Sequence, residues 1–542
     1  MRKALFRRWA ACFALAALAL PASAAERLPD FAALEAQGAI IGRVDVRSEN
    51  VFDTSNPAEN NALFRAANHI HVQTKPETIL RALLFRRGEA VSARRIEETE
   101  RILRAHRYIY DVTIKPLAVN NGVVDIEVTV RDTWTLEPSI KASRSGGSNT
   151  TGIGVREDNL LGTGVSVNLS HKRDVDRSSK LVEAAYDHAF DGWTQLRYGY
   201  ADNSDGHRQS ASVIRPFHAL DARWAAGVSA LGDDRIEAIY RGGKIASEYR
   251  HEKEKAELFG GWSAGWVDGW TKRTTVGLLF EEDHYAFEPG RVAPPRLPVD
   301  ETVAAVYARL DLIEDDFVKE TNRNQVHRPE YFARGLNASV MLVRSMESLG
   351  ASDDRWIYGL SVSRGFTPVA DHDLQLAATM NGHYRDGSVL RQARGVQARY
   401  YWPLSDHWLL YGSLALDALT RPSSADLLTL GGDNGLRGYP LRFQTGERRA
   451  QLTVEARAYT DLYLFSLFRV GWAAFYDVGS AWGGLDASQP HAEWMHDVGF
   501  GLRVFSVRSA QGTVLHADVA TPINRPPGVK GVQFLLKTKS SF

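Results

Sequence analysis

The chain has 542 residues, and its 65 lysine and arginine residues balance its 65 aspartate and glutamate residues. This balance gives no reason to expect a nucleic-acid partner, and a single cysteine cannot form a disulfide within the chain. The length leaves room for at least two domains.

Residues 1–24 have the three parts of a signal peptide: basic residues within positions 2–8, an apolar run over 10–20 and small residues at 22–24. The apolar run is too short to cross a bilayer as a helix. Cleavage after Ala24 would remove Cys12, the only cysteine, so thiol chemistry cannot carry the function. We therefore predict an exported protein in which residues 25–39 form a linker.

Residues 40–133 mix strand and helix patterns. Positions 41–46 alternate as a strand, and residues 74–77 (TKPE) read as a capping box that starts a helix ended by Gly88. A second helix is predicted over 92–105.

Two strands, 109–115 and 123–130, complete this region, and Asn120, Asn121 and Gly122 between them indicate a hairpin. The order strand, helix, helix, strand, strand predicts a small α+β domain of about 90 residues that is able to fold alone.

Residues 134–542 show no convincing helix. Segments of roughly ten residues alternate apolar and polar side chains between turns rich in Gly, Asp, Asn and Pro, as transmembrane barrels do. The 13 tryptophans and 19 tyrosines suit the aromatic girdles of such a barrel. We expect the longer loops, 283–300 and 314–329, on the outer side of the membrane.

Three motifs go beyond this general pattern. They are EDNLLGTG at 157–164, LGGDNGLRGYP at 430–440 and FYDVG at 475–479, and the chain ends on Phe542. Together they resemble the BamA/TamA type of outer-membrane assembly factor, also called the bacterial surface antigen barrel. Residues 40–133 similarly resemble one polypeptide-transport-associated (POTRA) domain. The terminal phenylalanine is the weakest sign, because most outer-membrane barrels end that way.

The resemblance implies that the 430–440 loop enters the lumen and that Arg437 engages Asp477 there. The alternation of the strands independently turns Asp477 and Glu455 inward, and an arginine fork binds carboxylates bidentately. Gly435 and Gly438 let the loop backbone bend tightly where it folds back, before Tyr439. The alternative is an exposed loop arginine beside a carboxylate bathed in channel water.

The remaining predicted site residues are Asn159, Gly162 and Gly164 in the turn motif and Phe542 as the assembly signal. The family barrel has sixteen strands, five of them after the arginine loop, and five such segments are visible here. About fifteen candidate segments precede the loop where the family has eleven. We expect sixteen strands in all, with the excess explained by bulges or loops, above all in 235–265.

The barrel seam has a functional interpretation. The proposed first strand, 150–157, contains Gly152 and Gly154, which weaken strand pairing. Closure with the last strand, 532–542, would then be loose and would expose an edge for an incoming strand. The alternative is that the two glycines only serve a tight bend.

Two apparent catalytic or metal-binding signals are discounted. The sequence GWSAG at 261–265 fits a nucleophile elbow, but it lies in alternating barrel sequence instead of a strand-to-helix turn. His69 and His71 lack a third metal ligand, which favours a solvated surface. We expect no enzyme activity, no cofactor and no metal.

The sequence therefore predicts a mostly β protein: a 16-stranded transmembrane antiparallel barrel over 134–542 after one POTRA domain over 40–133. The resemblance implies an outer-membrane location with the POTRA domain in the periplasm. It also implies three partners: the outer-membrane lipid bilayer, client polypeptides, and the barrel-assembly machinery for the protein's own insertion. The expected function is insertion or secretion of one client, because general assembly factors carry several POTRA domains. A two-partner secretion transporter with a plug helix, a passive diffusion porin and, more distantly, a membrane lipase are the alternatives.

Overall fold

The structure is a computed structural model that describes residues 28–326, 328–423, 426–483, 493–508 and 514–539. The predicted signal peptide, its cleavage site and Phe542 lie outside these residues.

The N-terminal domain, residues 28–133, is a three-stranded sheet covered by helices. The sheet order is β1-β3-β2, with β1 parallel and β2 antiparallel to β3. None of the helices in the described residues is long and apolar enough to cross a membrane. The elements are α1 (Phe31–Ala36), β1 (Ile40–Glu49), α2 (Ala62–Ile70), α3 (Pro76–Arg81), α4 (Ala93–Ala105), β2 (Ile109–Asn120) and β3 (Val123–Asp132).

Local sequence explains most of these boundaries. Ser92 caps α4 by accepting from the Arg95 amide, and Asn121 and Gly122 adopt the positive φ angles, 50° and 77°, of a tight hairpin turn. The predicted capping box is wrong: α3 has Lys75 as its N-cap without a side-chain bond, and the Thr74 side chain is used elsewhere. Helices α1 and α2 are additional to the predicted order.

The apolar residues of this domain form one core beneath the helices. Leu34 of α1, Ile79 of α3, Leu103 of α4 and Ile126 of β3 are all fully buried in it. Burial of these side chains is the main source of the stability of a domain this small.

The rest of the chain forms a closed barrel. Twenty strands close it, so the predicted number of sixteen is wrong. Four others pair only as short hairpins, β14 with β15 and β21 with β22. In chain order the strands are β4 (Leu136–Ser145), β5 (Ser148–Leu160), β6 (Val165–Arg173), β7 (Ser178–Ala189), β8 (Thr194–Asn203), β9 (Gly206–Arg215), β10 (Trp224–Arg241), β11 (Lys244–Val267), β12 (Trp270–Phe287), β13 (Glu301–Glu314), β14 (Phe317–Glu320), β15 (Glu330–Ala333), β16 (Asn337–Ser345), β17 (Arg355–Phe366), β18 (Asp373–Arg385), β19 (Ser388–Ser405), β20 (Trp408–Thr420), β21 (Leu428–Leu430), β22 (Gln444–Gly446), β23 (Arg448–Leu464), β24 (Phe468–Trp482), β25 (Met495–Ser506), β26 (Val514–Pro522) and β27 (Gln533–Lys539).

The predicted excess of upstream segments is real. Fifteen barrel strands precede the arginine loop, which we define as residues 428–446, and five follow it. The stretch 235–265 contains most of the β10–β11 hairpin, whose strands pair along nearly their whole length. The ladder there is regular apart from one register shift, between Ile239 and Tyr240. Both strands belong to the closed barrel, which is larger than the resemblance implies.

Alternation along the strands gives the barrel an apolar exterior. Large apolar side chains from strands all around the barrel are exposed, among them Leu169, Val213, Leu278, Val340 and Phe500. The side chains that alternate with such exterior residues along a strand point inward. Asp477 and Glu455 are two examples, and both are buried. The surface has the period-two pattern of a barrel that faces lipid.

The N-terminal domain docks at one end of the barrel, here called the N-terminal mouth. Contacts reach it from the turns β5–β6 and β9–β10 and from the end of β7. The loop 283–300 lies at the opposite end, beside Glu248 at the start of β11. The described residues of the loop 314–329 lie at the N-terminal mouth, where Lys319 and Arg328 contact the N-terminal domain. The two loops therefore lie at opposite ends, and the prediction that both are on the outer side is wrong.

Candidate functional site in the lumen and at the barrel seam

The arginine loop folds into the lumen, where Arg437 meets two buried carboxylates. Arg437 Nε and Nη2 donate to the two oxygens of Asp477 at 2.6 and 2.8 Å, and its Nη1 donates to Glu455 Oε1 at 2.8 Å. The guanidinium also lies 3.3 Å from the centre of the Phe475 ring. The two carboxylates sit on β23 and β24, whose alternation turns them inward. The structure thus brings together the three residues that sequence analysis paired.

The residues after Arg437 fit tightly against the wall. A Cβ added to Gly438 would lie 2.6 Å from the Asp497 Cβ, so only glycine allows this approach. Tyr439 is fully buried, and its hydroxyl lies 3.1 Å from the His496 carbonyl oxygen and 3.0 Å from the Asn524 carbonyl oxygen. The loop is therefore held by shape and hydrogen bonds as well as by charge.

The two carboxylates that hold Arg437 have further partners. Thr453 Oγ1 donates to Asp477 at 2.8 Å, and Arg457 Nε donates to Glu455 Oε2 at 2.9 Å. Removal of one partner from such a buried network leaves an uncompensated charge, which destabilises a protein by about 3–5 kcal/mol. The arrangement can hold the loop in one place.

The barrel closes through a weak seam between β27 and β4. Within the described residues the two strands share one pair, Leu536 with Arg144. The predicted first strand, 150–157, lies in β5, the second barrel strand, so that prediction is wrong. Gly154 does not serve a bend there: an added Cβ would lie 2.8 Å from the Leu169 carbonyl oxygen, so it allows close packing of β5 on β6.

The arginine loop touches both strands of the seam. The Gly432 carbonyl oxygen accepts from Ser145 Oγ at the end of β4, at 2.6 Å, and from Lys537 Nζ of β27, at 3.2 Å. The Leu441 amide donates to the Gly146 carbonyl oxygen at 3.1 Å. One segment of the loop therefore bridges the two strands where backbone pairing is sparse.

The EDNLLGTG turn between β5 and β6 fastens the N-terminal domain. The Gly162 carbonyl oxygen accepts from the Lys75 amide at 3.0 Å and from Thr78 Oγ1 at 2.9 Å. Gly162 has a φ of 74°, and a Cβ there would lie 2.3 Å from the Gln73 carbonyl oxygen. The turn requires glycine both for its backbone conformation and for the close approach.

Asn159 shapes this turn and joins it to the sheet of the N-terminal domain. Its Oδ1 accepts from the Gly164 amide, and its Nδ2 donates to Thr74 Oγ1, both at 2.7 Å. Thr74 in turn donates to Asp132 Oδ1 at 2.7 Å. His71 Nε2 lies 3.0 Å from the other Asp132 oxygen, and its side chain is buried, so the predicted solvated surface is wrong for His71.

Further contacts extend the docking around the mouth. Arg107 pairs with Asp158 at 3.0 Å, and the Leu220 amide donates to Glu98 at 2.8 Å. Burial raises the pKa of Glu98, although the Leu220 amide and nearby arginines oppose the rise. His106 packs 5.1 Å from the His188 ring of β7, and burial together with His188 lowers the pKa of His106 to about 4.

The discounted GWSAG serine belongs to the barrel wall. Ser263 is fully buried, its Oγ donates to the Lys272 carbonyl oxygen at 2.8 Å and accepts from the Gly265 amide at 2.9 Å. Among the described residues no group of three or more His, Cys, Asp or Glu side chains is arranged to hold a metal ion.

No family model and no curated protein sequence matches the chain. Solved structures with a similar fold include CdiB from Escherichia coli, with 13% identity and a TM-score of 0.48 over 92% of this chain and 76% of that chain. CdiB from Acinetobacter baumannii has 13% identity and a TM-score of 0.42 over 92% and 73%. BamA from Haemophilus ducreyi, solved without POTRA domains 1–3, has 14% identity and a TM-score of 0.39 over 92% and 85%. BamA and CdiB are thus structural neighbours of this chain, and the likeness concerns the fold alone.

Sequence reasoning missed several parts of the site. The inward phase of Arg457, two residues after Glu455, was a usable signal for its place in the cluster. The contacts of Gly432 with Ser145 and Lys537, and of Thr74 with Asp132, join residues far apart in the chain and carry no local signal.

Proposed function

We propose that this protein is an outer-membrane factor that inserts or translocates client polypeptides, with the N-terminal domain as a periplasmic POTRA domain. The observation that carries the proposal is the seam, where β4 and β27 share a single pair in the described residues. A barrel strand with an unpaired edge is a template to which an incoming extended polypeptide can add. The exposed apolar exterior of the barrel supports its location in a bilayer.

The energy for this activity would come from client folding. At the seam, most of the β4 edge makes no backbone hydrogen bonds with β27 in the part of the chain that the structure describes. A client strand that adds to this edge would make these bonds, and their formation would favour its insertion. The bridge from Gly432 to Ser145 and Lys537 would hold the seam closed until a client competes for it. No chemical step at any side chain is required.

Two observations weigh against the alternatives. A passive porin needs an open channel, whereas here the arginine loop fills part of the lumen and residues 317–326 and 328–333 lie at the N-terminal mouth. A two-partner secretion transporter with a plug helix would place a helix in the lumen. The N-terminal helix α1 instead packs its Leu34 into the core of the N-terminal domain.

Locking the seam tests the proposal. In the double variant Arg144→Cys, Leu536→Cys, oxidation should join β4 to β27, and we expect nearly complete loss of activity that returns with a reductant. The matched control, Ala230→Cys with Ala256→Cys, joins the paired strands β10 and β11 and should remain active.

Activity is scored in a deletion strain that carries each variant. The readout is the set of outer-membrane and surface proteins that disappear on deletion and return with the wild-type gene. Full activity of the oxidised seam variant would refute strand addition at the seam. Swelling of liposomes in small solutes, measured on the same purified protein, separates client handling from passive diffusion.

A further inference from the structure

The barrel lumen receives a second insertion, from the end opposite to the arginine loop. The lumen hairpin, residues 317–333 apart from His327, contains β14 and β15 and lies at the N-terminal mouth. The Arg323 carbonyl oxygen accepts from Arg457 Nη1 at 3.2 Å and from Tyr459 Oη at 2.9 Å. Arg457 and Tyr459 are both buried on the inner face of β23. The lumen hairpin is thus bonded to the wall strand that also carries Glu455.

The apolar part of the lumen hairpin is seated against the same wall. Val326 is only 6% exposed, and it packs in one cluster with Tyr401 of β19, Tyr459 of β23 and Ala473 of β24. These side chains come from three different strands, so the contact fixes the hairpin across the inner surface of the barrel.

The lumen hairpin is also fastened to the N-terminal domain. Glu100 of α4 accepts from Lys319 Nζ at 2.9 Å and from Tyr331 Oη at 3.2 Å. Arg328, which is buried, donates to the Ile109 carbonyl oxygen at 3.1 Å. Burial opposes ionisation of Glu100, yet the bonds from Lys319 and Arg104 hold its pKa below the ordinary value, so the carboxylate stays charged.

Glu455 joins the two insertions. Its Oε1 accepts from Arg437 of the arginine loop at 2.8 Å, and its Oε2 accepts from Arg457 at 2.9 Å. Arg457 in turn donates to the lumen hairpin at Arg323. A chain of contacts therefore runs from the N-terminal domain to Lys319, along the backbone of the hairpin to Arg323, and by hydrogen bonds through Arg457 and Glu455 to the loop that bridges the seam.

We propose that Glu455 is a positioning residue that couples the lumen hairpin to the arginine loop, so that displacement of the hairpin at the N-terminal mouth loosens the bridge at the seam. With the hairpin in place, Arg457 donates both to the Arg323 carbonyl and to Glu455. Arg457 thereby fixes the position of the Glu455 carboxylate that accepts from Arg437. Departure of the hairpin removes that carbonyl and admits water, which weakens ion pairs that were buried. The proposal rests on the proposed function, since it describes how a client that pulls on the N-terminal domain would prepare the seam.

The first experiment measures whether the loop controls the hairpin. The full-length protein carries Val326→Cys as a reporter, because Cys12 in the predicted signal segment is the only native cysteine. The rate of maleimide labelling is measured in detergent with no client present. Arg437→Ala and Glu455→Gln should each speed labelling of the reporter several-fold. The matched control is Arg442→Ala, which removes a bidentate ion pair of the same loop with Asp176, at 2.9 and 2.7 Å, outside the Glu455 chain.

The second experiment runs in the other direction, because coupling between two sites is reciprocal. Leu436→Cys, at a fully buried loop position, becomes the reporter, and Glu100→Gln weakens the anchor of the hairpin. Labelling of position 436 should also rise several-fold. The control is Glu89→Gln, which removes an ion pair with Arg95 at 3.1 Å in the same domain and does not touch the hairpin.

The outcomes separate this proposal from the proposed function. Labelling rates equal to those of the parent protein, or an equal rise in either control variant, would overturn the coupling through Glu455. If Arg437→Ala does not fold, as judged by heat-modifiable gel mobility, Arg437→Lys keeps the charge and loses the bidentate contact, and it should give the same rise. The labelling assays contain no client, so they test the coupling alone. The cross-link at the seam, scored in cells, tests the proposed function, and failure of one proposal can be distinguished from failure of the other.

Discussion

The wall formed by β10, β11 and β12 and the seam between β27 and β4 hold together by different means. The wall strands have 18, 24 and 18 residues and pair along most of their length. Strand β27 has seven residues, and one of them pairs with β4. The wall is stabilised by its backbone ladder, whereas the described residues of the seam share one strand pair and side-chain and carbonyl contacts with the arginine loop. Backbone pairing is therefore dense along the wall and sparse at the seam within the described residues.

The largest expected effect comes from Arg437→Ala. Loss of the guanidinium leaves Asp477 and Glu455 buried without this partner, at a cost of about 3–5 kcal/mol. We expect the loop to leave the lumen and activity to fall, while the protein still inserts into the membrane, because the wall ladder is untouched. Heat-modifiable gel mobility and the activity readout check this. Unchanged mobility together with unchanged activity would remove the case for a lumen lock.

Glycine substitutions in two turns at the N-terminal mouth test whether the turn near the seam holds the N-terminal domain more firmly than the turn in the wall. Gly162→Ala, in the β5–β6 turn near the seam, adds a clash with the Gln73 carbonyl to the strain of a positive φ. Gly269→Ala, in the β11–β12 turn of the wall, adds only the strain, because nothing lies within 4 Å of its Cβ. The strain costs about 1–2 kcal/mol in both, and the clash adds roughly 1–3 kcal/mol in Gly162→Ala alone.

The measurement for this pair is proteolysis of the N-terminal domain in the folded protein. We expect faster cleavage for Gly162→Ala, because its docking contacts with Lys75 and Thr78 must move. Equal cleavage of the two variants would mean that the turn does not hold the domain.

A third pair isolates the bridge across the seam. In Gly432→Ala the new Cβ would lie 2.6 Å from Gly146 Cα and 2.3 Å from the Tyr439 carbonyl oxygen, which should cost about 1–3 kcal/mol and part the loop from β4. Gly260→Ala, in the middle of β11, meets nothing within 4 Å. Urea unfolding of the arginine loop, followed by the fluorescence of nearby Trp482 and Trp494, should shift for Gly432→Ala only. A shift of the same size in Gly260→Ala would contradict the prediction that the contact of Gly432 with β4 stabilises the arginine loop.

The smallest effect at neutral pH concerns His106, which packs against His188 on a strand of the seam side. Its pKa is about 4 when docked and 6.5 as an unperturbed histidine. As the pH falls below 6.5, the undocked form takes up a proton that the docked form does not, so docking weakens progressively until the pH reaches about 4. Proteolysis of the N-terminal domain between pH 7 and pH 4 measures this, and His106→Gln should flatten the profile. A wild-type profile as flat as that of the variant would contradict the prediction.

The same contrast shows how far sequence analysis reaches. Alternation correctly assigned Asp477 and Glu455 to the inner face, because a strand has a strict period of two. It also indicated about fifteen strands before the arginine loop, the number that the structure has, and the resemblance to a sixteen-stranded family replaced this with eleven. The residues were the better guide there, because a closed barrel tolerates added hairpins without a change in the pattern of any single strand.

The sequence by itself determined the elements that depend on neighbouring residues: the hairpin at Asn121 and Gly122, the Ser92 cap, the barrel strands and the motif pairing of Arg437 with Asp477. Only the tertiary structure decided which end of the barrel receives the 314–329 loop, where the seam lies and how Gly432 bridges it. The physical reason is the sequence separation over which each kind of interaction acts. Turn, cap and alternation energies act over a few residues of chain, whereas closure of a barrel brings Ser145 beside Gly432 and Glu100 beside Lys319 through contacts that leave no periodic or local trace in the sequence.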